Sequence, residues 1–248
     1  MADFLERIEI GNTGLLSSRL GIGSTFDAST AVIEDAFERG INYLYWGTVR
    51  QPDFARAMVN LSKHHRDELI LTVQSYSQDP SSIEGEVEDA LKTAGIENFD
   101  FLLLGNRNSA LSGEYVELFE RLRDRGLLRY MSLSSHNRPF LPSLLENYEQ
   151  DRSPFELLML RYNPVHRGAE TDVFPLYQKE NIPRSLHIRR RVGDTCLTPT
   201  KCHLAKSRLR LGIVTDTHFP TRPSTWLSPD QRTVIKWAKP YQPLRLDH

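Results

Sequence analysis

A chain of 248 residues, 39% hydrophobic and 25% charged, has the composition of an ordinary globular protein and length enough for one sizeable core. No run approaches the ~20 apolar residues of a membrane helix, and the first eleven residues carry Asp3 and Glu6 where a secretory signal would be apolar. Two cysteines, Cys196 and Cys202, are too few for a disulfide scaffold and fit a reducing cytoplasm.

Residues 7–23 read as a hairpin turning at Asn12-Thr13-Gly14, then an apolar strand toward Gly23. Ala31–Arg39 spaces its apolar residues as a helix and stops at Gly40. A short β-rich run follows at 41–45, and 52–65 is helical again. Residues 68–74 read as a strand, 81–95 as a helix with a Ser cap and a Gly stop, and 99–105 as a buried strand. Helix 114–126, strand 128–134, helix 139–149 and strand 155–163 continue the rhythm, and 171–181 is the last helical stretch. Six alternating strand–helix pairs imply a parallel sheet covered by helices. Eight such units close a TIM barrel, whereas six also suit an open doubly wound sheet. The first strand is not followed by a Gly-rich phosphate loop, which weakens the dinucleotide-binding form of the open sheet.

The run RIEIGNTGLLSSRLGIGS at 7–24 resembles the opening hairpin of the aldo-keto reductases, the floor of their barrel. AFERGINYLYWGT (36–48), RDELILTVQ (66–74) and VEDALKTAGIENFDFLLLG (87–105) resemble the family's second, third and fourth units. LRDRGLLRYMSLSSH (122–136) and LRYNPVHRGAE (160–170) resemble the fifth and sixth. The resemblance is collinear over residues 7–183. It implies an α/β fold, a (β/α)8 TIM barrel, here incomplete, with about six recognisable βα units and an irregular C-terminal tail.

The family reduces carbonyls with NADP or NAD, through an Asp, Tyr, Lys and His gathered around the substrate oxygen. A phenol ionises near pH 10, so a neighbouring Lys and a relaying His are needed to make it a useful acid. The four positions that align with this tetrad hold Tyr45, Arg50, Gln74 and Gly105, and all four roles are vacated. Tyr45 is a candidate relocated proton donor; its alternative is to fill space together with Trp46. Gln74 can hydrogen-bond a ligand but carries no charge. Among the cofactor positions, Ser134 and Ser135 align with a Ser-Asn pair that grips the nicotinamide amide, Met159 stands where a Gln is expected, and Asn163 is retained. Trp46, Arg161 and Arg167 are candidate ligand-binding residues, the two arginines for an anionic small molecule. His166 and Glu170 share the same run, and a surface ion pair of Arg167 with Glu170 is the simpler reading. Together these residues imply an oxidoreductase by ancestry, inactive in this form and without tight NADP binding, or else a non-catalytic ligand-binding pseudoenzyme.

The net charge of −1 conceals an asymmetry, because residues 1–183 hold 18 Lys and Arg against 28 Asp and Glu, while 184–248 hold 13 against 4. A seventh strand is due after Pro183, yet 184–212 has neither the period nor the composition of one. Pairing the third base of each codon with the first two of the next allows Val214–Gln231 to encode YRYAFSNPSVDVALAGPK, which resembles the family's cofactor-phosphate region. Residues 184–248 therefore read as the family's C-terminal part out of frame, an aberrant basic tail beside a barrel portion at 1–183. Nucleic-acid binding is disfavoured, since Arg189–Arg191 is a single short cluster with Trp226 and Trp237 remote from it. Cys196, Cys202 and His203 lack a second ligand pair at zinc spacing. Two missing units would expose strand edges and leave a partly molten chain, given a folding stability of only ~5–15 kcal/mol. The nucleotide sequence tests the frame slip: restoring one base near the codons for Pro183 and Arg184 is expected to open an aldo-keto reductase reading, and a frame without one refutes it.

Overall fold

The computed structural model describes residues 6–24, 28–47, 50–147, 155–162 and 166–175, together with the backbone of 185–189 and 211–216. An antiparallel hairpin of β1 (Arg7–Glu9) and β2 (Leu16–Ser18) comes first. Its turn is closed by the Ile10 N–H donating to the Leu15 carbonyl at 2.9 Å. Gly11 and Gly14 take φ of 53° and 72°, a region that disfavours side chains, and a Cβ on Gly11 would also strike Glu156.

Six strands then pair in parallel in chain order: β3 (Leu20–Gly23), β4 (Tyr43–Trp46), β5 (Ile70–Ser75), β6 (Phe99–Leu104), β7 (Leu128–Ser135) and β8 (Phe155–Arg161). Five helices join them: α1 (Thr30–Glu38), α2 (Pro52–His65), α3 (Pro80–Ala94), α4 (Gly113–Asp124) and α5 (Phe140–Asn147). After β8 comes a single helical turn, α6 (Ala169–Asp172), four residues where the sequence pattern extends to 181; residues 176–181 lie outside the described ones.

Local chemistry explains the helix limits. Pro52 opens α2, where its missing N–H costs nothing, and Phe54, Met58 and Leu61 recur at helical spacing on its buried face. In α3 the cap is Asp79, not a serine. Its carboxylate accepts from the Ser82 N–H at 2.8 Å, Pro80 follows as the first helical residue, and Gly95 ends the helix in the left-handed conformation. Bonds from Ser81 and Ser82 hold the Asp79 carboxyl down at about 2.

Two further strands revise the expectation for the tail. Ser185–Arg189 forms β9, parallel to β8, and Leu211–Asp216 forms β10, antiparallel to both β9 and β3. The ring β10-β3-β4-β5-β6-β7-β8-β9 is closed, so the edges of β3 and β8 that the sequence leaves open are paired. Both segments carry a short strand-compatible run, Leu186 and Ile188 alternating with polar residues in β9 and Ile213-Val214-Thr215 in β10, within a stretch that has no longer period. The eighth strand runs against the other seven, so the (β/α)8 pattern remains incomplete. Residues 1–217 form one compact unit, and 218–248, grouped separately, lie outside the described residues, as do Cys196, Cys202 and His203.

Inside the ring, Tyr43, Tyr45, Ile70, Phe101, Leu103, Leu157 and Met159 form one apolar cluster with Ile8 and Ile10 of the hairpin. Gly21 lets Tyr43 lie close, since a Cβ there would stand 2.5 Å from the ring. The Tyr43 hydroxyl accepts from Thr72 at 3.0 Å, and burial pushes the phenol well above its ordinary pKa. Around the staves, Asp100 is fully buried and ties three elements: it accepts from the Leu71 N–H at 2.8 Å and pairs with Arg66 at 3.1 Å and Arg129 at 3.2 Å. Asp100→Ala removes both ion pairs and leaves the buried Leu71 amide without its acceptor, and is expected to cost about 1–3 kcal/mol in urea unfolding. A loss below about 1 kcal/mol, the size of an ordinary surface change, would show that the pairing is not holding β5 to β7.

Candidate functional site at the barrel mouth

The C-terminal ends of barrel strands are where sites on this fold lie, because the βα loops there can vary without disturbing the staves. Tyr45 and Gln74 stand at those ends on adjacent strands, both buried, and the Tyr45 hydroxyl donates to Gln74 Oε1. The other half of the carboxamide, Gln74 Nε2, is buried with no partner. An unsatisfied buried donor of this kind costs about 1–3 kcal/mol.

Gly105, just beyond β6, sits against this pair. A Cβ on Gly105 would lie 2.4 Å from the Tyr76 ring and 2.7 Å from Gln74 Nε2. The Tyr76 ring therefore occupies the space that a side chain at 105 would need. Tyr76 was not marked by the sequence; it follows β5 in a polar run, and its ring is 41% exposed.

Arg50 is a brace. Its guanidinium donates to the carbonyls of Trp46 (2.9 Å), Gly47 (2.6 Å) and Gln74 (2.9 Å), and lies 4.8 Å over the Trp46 ring. Burial pulls this guanidinium below the usual arginine value, with Glu86 opposing the shift. Trp46 is wholly buried, with its ring 6.3 Å from Phe99. Across the mouth the Gly47 N–H donates to Ser24 Oγ at 2.9 Å, which ties the end of β4 to that of β3.

On the other side, Ser134 and Ser135 end β7 and are buried. The Ser135 hydroxyl donates to Asn108 Oδ1 at 3.1 Å and accepts from the Asn137 N–H at 3.0 Å, so it organises its own loop. Met159 pairs in register with Ser134 and belongs to the apolar cluster. Asn163 lies outside the described residues. Arg161 closes β8 and lines an open cleft with His136, Asn137, Arg138, Pro139 and His166. Arg167 makes a two-bond ion pair with Glu170, at 2.8 and 2.9 Å. The same carboxylate accepts from Tyr162 at 2.6 Å, and Arg167 holds its pKa below the ordinary value. Burial and that bond push the Tyr162 phenol up to about 12.

A second buried arginine, Arg107, was also unmarked. It donates to Gln78 Oε1 (2.5 Å), Tyr115 Oη (3.1 Å) and the Ser77 carbonyl, bracing the loops after β5 and β6. No cluster of three or more metal-ligating side chains occurs among the described residues, and none of their helices is long and apolar enough to cross a membrane.

Comparisons with known proteins place the chain. A model of the aldo/keto reductase family matches residues 16–185. A search of curated proteins finds no match. Among solved structures, the holo form of an aldo-keto reductase from Bacillus halodurans superposes with a TM-score of 0.64 at 24% identity, over 78% of this chain and 69% of that one. A glycerol dehydrogenase from Gluconobacter oxydans gives 0.59 at 17% identity, over 74% of this chain and 63% of that one. The chain thus spans about two-thirds of the length of the structures it resembles, and at these identities the likeness concerns the fold.

The contact between Tyr76 and Gly105 yields a coupled prediction. Gly105→Ala alone is expected to destabilise by about 1–3 kcal/mol through overpacking. In a Tyr76→Ala background the same change is expected to cost at least about 0.5 kcal/mol less. Additive effects in urea unfolding would mean that the ring does not hold that space.

Proposed function

The chain belongs to the aldo/keto reductase family, and we propose that it is an oxidoreductase by descent that does not reduce carbonyls. One observation carries this reading: the Tyr45 hydroxyl donates its hydrogen bond to a neutral carboxamide, Gln74, beside a ring that fills the space at Gly105. Carbonyl reduction leaves a developing oxyanion that needs a transferable proton and nearby positive charge. A carboxamide has no charge with which to make a phenol more acidic. Arg50, which couples electrostatically to Tyr45, has its N–H groups directed at three backbone carbonyls. Three of the positions aligned with the family tetrad, Tyr45, Arg50 and Gln74, thus form a hydrogen-bonded plug, and the fourth, Gly105, lies against it.

The residues present also fit a nicotinamide poorly. Ser135 spends its hydroxyl on Asn108 and Asn137, and the Met159 thioether cannot pair both halves of an amide. The family match ends at residue 185, which supports reading the tail as lacking the cofactor's phosphate anchorage. NADP or NAD is therefore not a tight ligand in this proposal, and no hydride step is assigned.

The proposed activity class is tested with the purified full chain. Neither NADPH nor NADH is expected to be consumed with a panel of aldehydes and ketones, and NADPH fluorescence is expected to be unchanged on mixing. Turnover that disappears in Tyr45→Phe would overturn the proposal and assign proton donation to Tyr45.

A further inference from the structure

The pair at the mouth leaves one donor unspent. Gln74 is buried, its Oε1 accepts from the Tyr45 hydroxyl, and its Nε2 has no hydrogen-bond partner. We infer that this carboxamide is a socket for a compact, flat, uncharged molecule whose carbonyl oxygen accepts from Nε2, and that the Tyr76 ring is the gate beside it. The inference rests on the non-reducing reading, under which a ligand at the mouth is held and released unchanged.

Geometry supplies the gate. A Cβ on Gly105 would lie 2.5 Å from Tyr76 Cε1 and 2.7 Å from Gln74 Nε2, so the ring and the amide flank one glycine. The backbone on both sides of Tyr76 is fixed. The Ser75 carbonyl accepts from the Gly105 N–H at 2.8 Å, the Ser77 carbonyl accepts from Arg107, and the Ser77 hydroxyl donates to Glu86 at 2.5 Å. Tyr76 itself is 41% exposed. The ring is therefore the part of this loop that can turn to solvent by a change of rotamer. Turning opens the space beside Gly105 and breaks none of the bonds that hold the loop.

The surroundings specify the ligand. Tyr45 belongs to the apolar cluster with Leu103 and Met159, and an ion brought against it would lose its hydration with only a carboxamide in return. Arg50, the cation coupled to Tyr45, spends its N–H groups on three backbone carbonyls. An uncharged carbonyl oxygen completes the bonding of Nε2 and brings no charge to bury. The space is the one a single aromatic ring gives up, so a planar molecule of one ring matches its shape.

The experiment is calorimetric titration of the full chain, without cofactor, with δ-valerolactam, a single-ring amide. Saturable binding above the buffer blank is expected. Tyr76→Ala is expected to tighten it at least about threefold, because a gate that is mostly closed lowers the apparent affinity by its open fraction. Gln74→Met keeps the length and loses the donor, and is expected to weaken binding at least about fivefold, the scale of one neutral hydrogen bond. If Gln74→Met fails to fold by circular dichroism, the unaltered chain decides with δ-valerothiolactam. Its sulfur is the poorer acceptor, and it is expected to bind at least about threefold more weakly. Amide resonance makes the lactam a poor hydride acceptor, so its binding is read separately from NADPH consumption with ketones, the measurement on which the non-reducing reading stands or falls. Heat no greater than the blank in both the unaltered and the Tyr76→Ala chains overturns the socket, as does equal affinity in the deciding comparison. Binding no tighter in Tyr76→Ala overturns the gate.

Discussion

A closed ring of parallel strands encloses a space too narrow to stay empty, and every inward side chain must help to fill it. Much of this molecule follows from that requirement. The β1–β2 hairpin contributes Ile8 and Ile10 at one end, and Tyr43, Phe101 and Leu157 occupy the middle. At the mouth the same demand meets positions that resemble a catalytic set but hold different residues. Removing a lysine or histidine side chain from a packed interior leaves a void, and a void forfeits contacts on all its walls. Tyr45 and the Tyr76 ring fill such space, and the close approach at Gly105 is the mark they leave. Packing at the mouth and the proposed loss of carbonyl reduction therefore rest on one arrangement.

The ring's closure rests on a different interaction. Strand pairing draws on backbone groups that nearly every residue carries, so the short runs of β9 and β10 are enough to complete the ladder. What backbone pairing cannot supply is the direction of a βα unit. The closing strand β10 runs antiparallel, so two of the eight βα units expected for this fold are not reproduced as such. A ring can be closed in hydrogen bonds and still lack the loops that the missing units would place at its mouth. That distinction reconciles a closed ladder with a family match that stops at residue 185.

Sequence patterning was informative where periodicity governs structure. Helices α2 and α4 and strands β5 and β6 fall where spacing and Gly or Pro boundaries put them, because burial on one face of a helix or both faces of a strand imposes that spacing. The capping residue of α3 was misplaced by two positions, since Ser81 and Asp79 are both good caps and only the carboxylate's reach to Ser82 separates them. Strand β9 was missed because its polar–apolar alternation, Ser185 to Arg189, spans only five residues before Arg190 and Arg191 end it. At the site, Tyr45 and Gln74 were legible through a family resemblance. Their hydrogen bond was not, as it depends on the register of two adjacent strands. Tyr76 was missed for a similar reason: it acts through a close approach to a glycine, Gly105, that is distant in sequence.

On the reading proposed above, the mouth keeps the fold's ligand-facing end without the family's carbonyl chemistry. Proton transfer to a carbonyl demands a few groups in fixed protonation states at bonding distance, and the neutral carboxamide at position 74 is the ground for that reading. A hydrogen bond to an uncharged acceptor asks for less, because one fixed donor serves and no protonation state has to be held. The Tyr76 ring meets the packing demand at Gly105 and flanks the unspent Nε2 of Gln74 at the same time. On the inference drawn from that contact, a plug whose outermost piece is half-exposed fills the mouth for stability and still gives way to a ligand of the same shape.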